Sequence, residues 1–171
     1  MIARAVAMAI GDPKALCEYC GEAYLAVLTE IARTEGTQYS WQNVIIAECE
    51  EQVVGAVLGY DGARLSELRE GTMAIIQRMT GHLPSVADET EAGEFYLDSV
   101  AVVSECRGLG VGVALVRAFC QWAFAKGAER VGLIVDVANP SAERLYLAEG
   151  FVCVGERTFF GHQMRHFQKI K

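Results

Sequence analysis

Arg107-Gly108-Leu109-Gly110-Val111-Gly112 follows an alternating apolar segment, Glu94 to Val103, and runs straight into an amphipathic one, Val113 to Lys126. The first segment has the period of a strand and the second that of a helix, so the six residues form a strand-to-helix turn. A glycine-rich turn that opens a helix points several backbone N–H groups at one spot. The helix macrodipole adds partial positive charge there, which makes an anionic phosphate the natural ligand. Glycines suit the task because the backbone can approach the phosphate with no Cβ in the way.

Several phosphate-binding patterns compete for this stretch. A P-loop needs Lys-Ser/Thr after its last glycine, whereas Gly112 is followed by Val113-Ala114. A dinucleotide fingerprint needs G-x-G-x-x-G near the start of a βαβ unit, but the spacing here is Gly108-x-Gly110-x-Gly112, about a hundred residues into the chain. A third pattern, Arg/Gln-x-x-Gly-x-Gly/Ala after a strand, is filled by Arg107, Gly110 and Gly112. It resembles the acetyl-CoA signature of the GCN5-related N-acetyltransferase (GNAT) family. A plain glycine-rich turn is the bland alternative.

The resemblance extends over residues 94 to 152 and more loosely over the whole chain. Leu97-Asp98-Ser99-Val100-Ala101-Val102 is similar to the family's central strand, and Arg130 to Val137 reads as the next one. Asn139-Pro140-Ser141-Ala142 is similar to its Asn-x-x-Ala turn, and Leu145-Tyr146 with Gly150-Phe151 to its "LYxxxGF" helix ending. Gly150 also makes sense unaided as a residue that closes a helix. The family implies an α/β acyl-CoA N-acyltransferase fold: a mixed, mostly antiparallel central sheet flanked by helices, here a single N-acetyltransferase domain over residues 1–171.

Composition bounds the function from another side. A chain of 171 residues, 52% hydrophobic and 22% charged, is ordinary globular material that can bury a core. A net charge of −7 without a basic stripe argues against a nucleic-acid partner and weakly favours a cationic substrate. No apolar run reaches the length of a membrane span, and the first ten residues lack the marks of a signal peptide. Six cysteines are scattered, and Cys17-x-x-Cys20 has no second pair or nearby histidine to complete a zinc site. Free thiols in a reducing cytoplasm and no metal are the expectation.

Along the chain, Ala15 to Thr34 reads as a helix started by Asp12-Pro13, Val44–Glu48 and Val53–Tyr60 as a hairpin, and Arg64 to Met79 as another helix. Residues 81–93 read as a loop whose acidic run, Asp88 to Glu94, is by default solvated. Phe151–Arg157 and Gln163–Ile170 read as the last strands. Family members usually begin with a strand, whereas Ile2 to Met8 here looks like the first helix, so that strand is either missing or lies before the given start.

Amide formation requires a donor for the developing oxyanion, an acceptor for the amine proton and a proton for the departing sulfur. By the resemblance, backbone groups of Val100, Ala101 and Val102 bind the pantetheine arm where two parallel strands splay. Arg107 and the amides of Gly108, Leu109, Gly110, Val111, Gly112 and Val113 hold the pyrophosphate. Asn139 bonds the pantetheine through its side-chain amide, and Tyr146 protonates the thiolate. The general base is open. Asp98, sharing a strand face with Glu94 and Tyr96, is the candidate, against the reading of a merely hydrogen-bonded strand carboxylate. Some protein N-terminal acetyltransferases carry a glutamate five residues before the asparagine; Ile134 stands there, and Asp136 is not expected to have the same reach.

His162 and His166 share a strand face too far apart for a common metal, and Tyr39-Ser40-Trp41 either packs or cages a cation. Cys106 has no neighbouring histidine for a ping-pong route. The expected function is acetyl transfer from acetyl-CoA to a primary amine, of small-molecule or peptide origin, in a ternary complex. A homodimer is a further possibility that the family brings. The alternatives are a non-catalytic CoA-binding regulatory module of the same fold and, more remotely, an ATP- or NAD-binding phosphate protein.

Overall fold

Asp12 and Pro13 act as their types predict: the Asp12 carboxylate accepts from the Lys14 amide at 2.9 Å, and Pro13 occupies the first helical turn. A computed structural model describes all residues from Met1 to Lys171. Three short helices come first, α1 (Ile2–Ile10), α2 (Pro13–Cys20) and α3 (Tyr24–Arg33). The single helix expected over Ala15 to Thr34 is thus two. Gly21 leaves the helical region and its amide closes α2 by bonding the Cys17 carbonyl, so α2 and α3 pack as separate rods.

The strands β1 (Val44–Cys49) and β2 (Gln52–Asp61) form the hairpin, followed by α4 (Leu65–Thr80), β3 (Phe95–Val102) and α5 (Val111–Ala125). Then come β4 (Arg130–Asp136), α6 (Pro140–Ala148), β5 (Val152–Phe159) and β6 (His162–Ile170). The sheet order is β1-β2-β3-β4-β6-β5. Every neighbouring pair is antiparallel except β3 and β4.

Both faces of the sheet are covered, which is why β2 reads as a continuous apolar run instead of alternating. On one face, Leu115, Val116 and Phe119 of α5 pack against Val57, Leu97 and Leu133. On the other, Val6 of α1, Leu28 and Ile31 of α3 and Ile76 of α4 pack around Leu58. Burial of each such side chain is worth about 2 kcal/mol.

Two irregularities shape the region between β3 and β4. First, their parallel ladder holds only Phe95 opposite Val131 and Tyr96 opposite Gly132, although β3 continues to Val102 and β4 to Asp136. Beyond that point the strands diverge. Second, β3 carries one extra residue against β2: Leu58 faces Ser99 and Gly59 faces Leu97, which leaves Asp98 unpaired in a bulge. Gly59 permits this crowding, since a Cβ there would meet the Tyr96 carbonyl at 2.1 Å and the Phe119 ring at 2.3 Å.

Candidate active site

The glycine loop is held by its own backbone geometry. Gly108 and Gly110 have φ of 75° and 85°, a left-handed conformation that side-chain-bearing residues avoid. Gly110 is the N-cap of α5 and contributes no side chain to the cap. None of the six amides from Gly108 to Val113 donates to a protein acceptor. They lie at the N-terminus of a helix of 15 residues, where the macrodipole favours an anion. The helix starts two residues before the expected Val113, so Val111 and Gly112 form its first turn. Arg107 turns back instead, its Nε donating to the Val102 carbonyl at 3.2 Å.

Next to the loop is the cleft where β3 and β4 part. On its β2 side, Val100, Ala101 and Val102 pair with Val57, Ala56 and Gly55, while their other edge faces β4 without a ladder. Asn139 caps α6: its Oδ1 accepts from the Ala142 amide at 3.1 Å and from Ser141 Oγ at 2.9 Å. That leaves the Nδ2 donors free of protein partners. Tyr146 is half-buried, with its ring edge-on to Phe151 at 5.6 Å. Burial pushes its phenol up to about 12, so the hydroxyl keeps its proton throughout the neutral range.

Val100, Asn139 and Tyr146 open on one cavity of about 240 Å³ that also reaches Asp98. The bulge places Asp98 beside Ser99, which donates to Oδ1 at 2.6 Å. Tyr60 stands 3.4 Å from Oδ2, and the same hydroxyl donates to Glu89 Oε1 at 2.7 Å while accepting from Gln38 Nε2 at 3.0 Å. Burial, with the Glu89 charge second, raises the Asp98 carboxyl from 3.8 to about 7, although Ser99, Tyr60 and Arg69 pull it down. Burial also holds Tyr39, Tyr60 and Tyr96 well above the usual phenol value, so all three stay neutral.

Glu89 departs from expectation. The acidic run is not simply a solvated loop: Asp88 is exposed, but Glu89, Thr90 and Glu94 are buried. Arg69 of α4 pairs with both Asp88 and Glu89, and Gln38 donates to Glu89 at 2.7 Å. No local signal marked Glu89, because its partners lie on β2, α4 and the loop before β1. Glu94 belongs to a separate network. Burial alone would raise its carboxyl, but bonds from His166 at 2.9 Å and from Thr90 and Gln168, both at 2.7 Å, hold it below the ordinary range. Since Arg157 can only donate, His166 Nδ1 accepts from it at 2.9 Å and Nε2 carries the proton given to Glu94. Tyr96 and Asp98 line one cavity together, whereas Glu94 is tied to His166 and Gln168 of β6 and is not part of that lining.

At the other end of the cavity, Asp136 bonds His162 Nδ1 at 2.8 Å. Asp136 and Ile134 both line the cavity, Asp136 with its carboxylate engaged by His162. Tyr39 is buried and lines the cavity with its hydroxyl 3.2 Å from that of Tyr19, whereas Trp41 is exposed and is not part of the lining. No helix is long and apolar enough to cross a membrane.

The whole architecture recurs in known structures. A protein described as an acetyltransferase is 29% identical and superposes with a TM-score of 0.81, covering 99% of this chain and 92% of its own. An N-acetyltransferase from Staphylococcus aureus Mu50, 20% identical, gives 0.85 over 98% of this chain and 93% of its own. A Bacillus anthracis str. Ames protein assigned as a streptothricin acetyltransferase, solved with acetyl coenzyme A, is 17% identical and gives 0.52 over 75% of this chain and 61% of its own. A comparison with curated proteins gives no significant match. The sequence profile of the acetyltransferase (GNAT) family matches residues 14–151, most of the length, including the glycine loop, β3, β4 and α6. The chain belongs to the GNAT acetyltransferase family.

Proposed function

We propose that residues 1–171 form one catalytic domain that transfers an acetyl group from acetyl-CoA to a primary amine in a ternary complex, in the cytoplasm. The observation that carries this is the row of six unpaired amides, Gly108 to Val113, opening on the same cleft as the only partly laddered strands β3 and β4. Orphan donors at a helix start fit a pyrophosphate. The free edge of Val100 to Val102 and the Asn139 Nδ2 donors fit the amide groups of a pantetheine arm. Acetyl-CoA supplies the activated carbonyl carbon.

The remaining work falls to the protein. Asp98, raised to about 7, takes the proton from the incoming ammonium, directly or through a water. When protonated, Asp98 can donate to the Tyr60 oxygen, which bonds Glu89 on its far side. The two carboxyls thus share one phenol, with Arg69 neutralising Glu89. Tyr146 holds its proton until a sulfur anion needs it. The same cavity touches both Asp98 and Tyr146, so an amine and a thioester can meet between base and acid. That continuity favours turnover over a non-catalytic CoA-binding module, which would need no tuned carboxyl.

Thermal unfolding with acetyl-CoA, CoA, ATP and NAD tests this reading. At a hundred times its Kd, a ligand of the folded state adds about 2.7 kcal/mol. Stabilisation by the CoA compounds alone, lost in Gly110→Glu, supports it. An equal response to ATP, or none to CoA, refutes it.

A further inference from the structure

The cavity that joins Tyr146 to Asp98 has a one-sided charge. Glu89, Asp98 and Asp136 line it, and no lysine or arginine does. Its one basic side chain, His162, is engaged by Asp136 and lies 4.0 Å from Asp12. Apart from Ser99, which is bonded to Asp98, and Asn139, the remaining walls are apolar or aromatic. Val6, Met8 and Ile10 come from α1, and Phe159, Phe160 and Met164 from the β5–β6 hairpin. The volume of about 240 Å³ is below the usual range of small-molecule pockets and must also take the acetyl end of the donor.

We propose that the acceptor is a compact primary amine with an apolar or aryl body and no carboxylate or phosphate. This rests on the acetyltransferase reading above. An amino acid would bring its carboxylate into a space with three acidic groups and no free cation. Its charge would be desolvated without a partner, which is strongly unfavourable. The ammonium of a plain amine instead meets Asp98, with Glu89 held behind it by Arg69, while its body covers the α1 and hairpin side chains. A polycation finds carboxylates but loses hydration of its further charges against Met8, Phe160 and Met164. A multi-ring aminoglycoside exceeds the volume.

Matched pairs that differ only in the carboxylate test this: phenethylamine against phenylalanine, and tyramine against tyrosine. Spermidine and an aminoglycoside complete the panel. Release of CoA is followed by chromatography, because the exposed thiols of Cys17, Cys49 and Cys153 would consume a thiol reagent. The expected result is a kcat/KM about a hundred-fold or more higher for each amine than for its amino acid. Met8 is half-exposed at the rim, so Met8→Arg offers a counter-ion without disturbing the core and should narrow that ratio. Equal turnover within the pairs, or preference for spermidine or the aminoglycoside, overturns the inference. Stabilisation by acetyl-CoA with no turnover of either amine overturns it too, while sparing the cofactor site. Absence of acetyl-CoA stabilisation removes the acetyltransferase reading itself.

Discussion

Glu89→Gln separates a tuned base from a carboxylate that merely fills a strand bulge. Asp98 and Glu89 contact one phenol oxygen, at 3.4 and 2.7 Å, so their oxygens lie within about 6 Å of each other. Like charges at that separation, with an effective dielectric near 20, repel by about 3 kcal/mol, or about 2 pKa units. Arg69 already cancels part of the Glu89 charge, so about 1 unit is the reasonable expectation. Removing the charge makes Asp98 easier to ionise and lowers it from about 7 towards about 6. Only the ionised form accepts a proton, so the acid limb of the rate profile follows the same value.

The assay is kcat/KM for phenethylamine from about pH 5 to about pH 9 in the wild type, Glu89→Gln and Tyr60→Phe. The ionisation of the amine is common to all three and cancels in the comparison. The Glu89→Gln limb should move to lower pH. The Tyr60→Phe limb should move to higher pH, since the phenol hydrogen that can turn from Glu89 to the ionised Asp98 Oδ2 is lost. An unmoved limb in Glu89→Gln with the fold intact would falsify the shared-phenol arrangement.

Further outcomes can be measured on the same protein. Tyr146→Phe should lower kcat by about a hundred-fold with little change in KM, and stopped-flow or steady-state CoA release checks it. Asp98→Asn should abolish transfer yet stabilise the fold at pH 8. A carboxyl raised from 3.8 to about 7 loses stability as pH climbs between those values, by up to about 4 kcal/mol; denaturant titration at pH 4 and pH 8 reads the difference. Glu94 has the opposite sign. Its carboxyl is lowered in the fold, so its contribution is full above the unfolded value near 4.5 and is lost as pH falls through the folded one. Glu94→Gln should therefore flatten that part of the acid-unfolding curve. Gly59→Ala should cost about 3 kcal/mol or more, because the new Cβ meets the Tyr96 carbonyl and the Phe119 ring. Gly155→Ala, where a Cβ meets nothing within 4 Å, is the control in thermal melts.

What the chain determined by itself is what short-range backbone chemistry controls. Gly108 and Gly110 adopt the left-handed turns that only glycine takes cheaply. Asn139-Pro140 starts a helix because a side-chain oxygen and a preset φ satisfy its first turn locally. The apolar periods of α1, α4, α5 and the six strands were legible for the same reason, and with them the family. The break at Gly21 was not, because a single glycine is tolerated within a helical pattern.

Tertiary structure alone decided which acidic groups are buried and which of them face one another. Asp98 drops out of the β2 ladder only because β2 sets Leu58 and Gly59 opposite Ser99 and Leu97 and leaves it no partner. Glu89 leaves solvent only because Gln38, Tyr60 and Arg69 converge on it from positions 51, 29 and 20 residues away. The electrostatic character of a carboxylate is set by what surrounds it in space. Neighbours in sequence carry little of that information, so the glycine loop could be read residue by residue, whereas Asp98 could be named only as a candidate and Glu89 not at all.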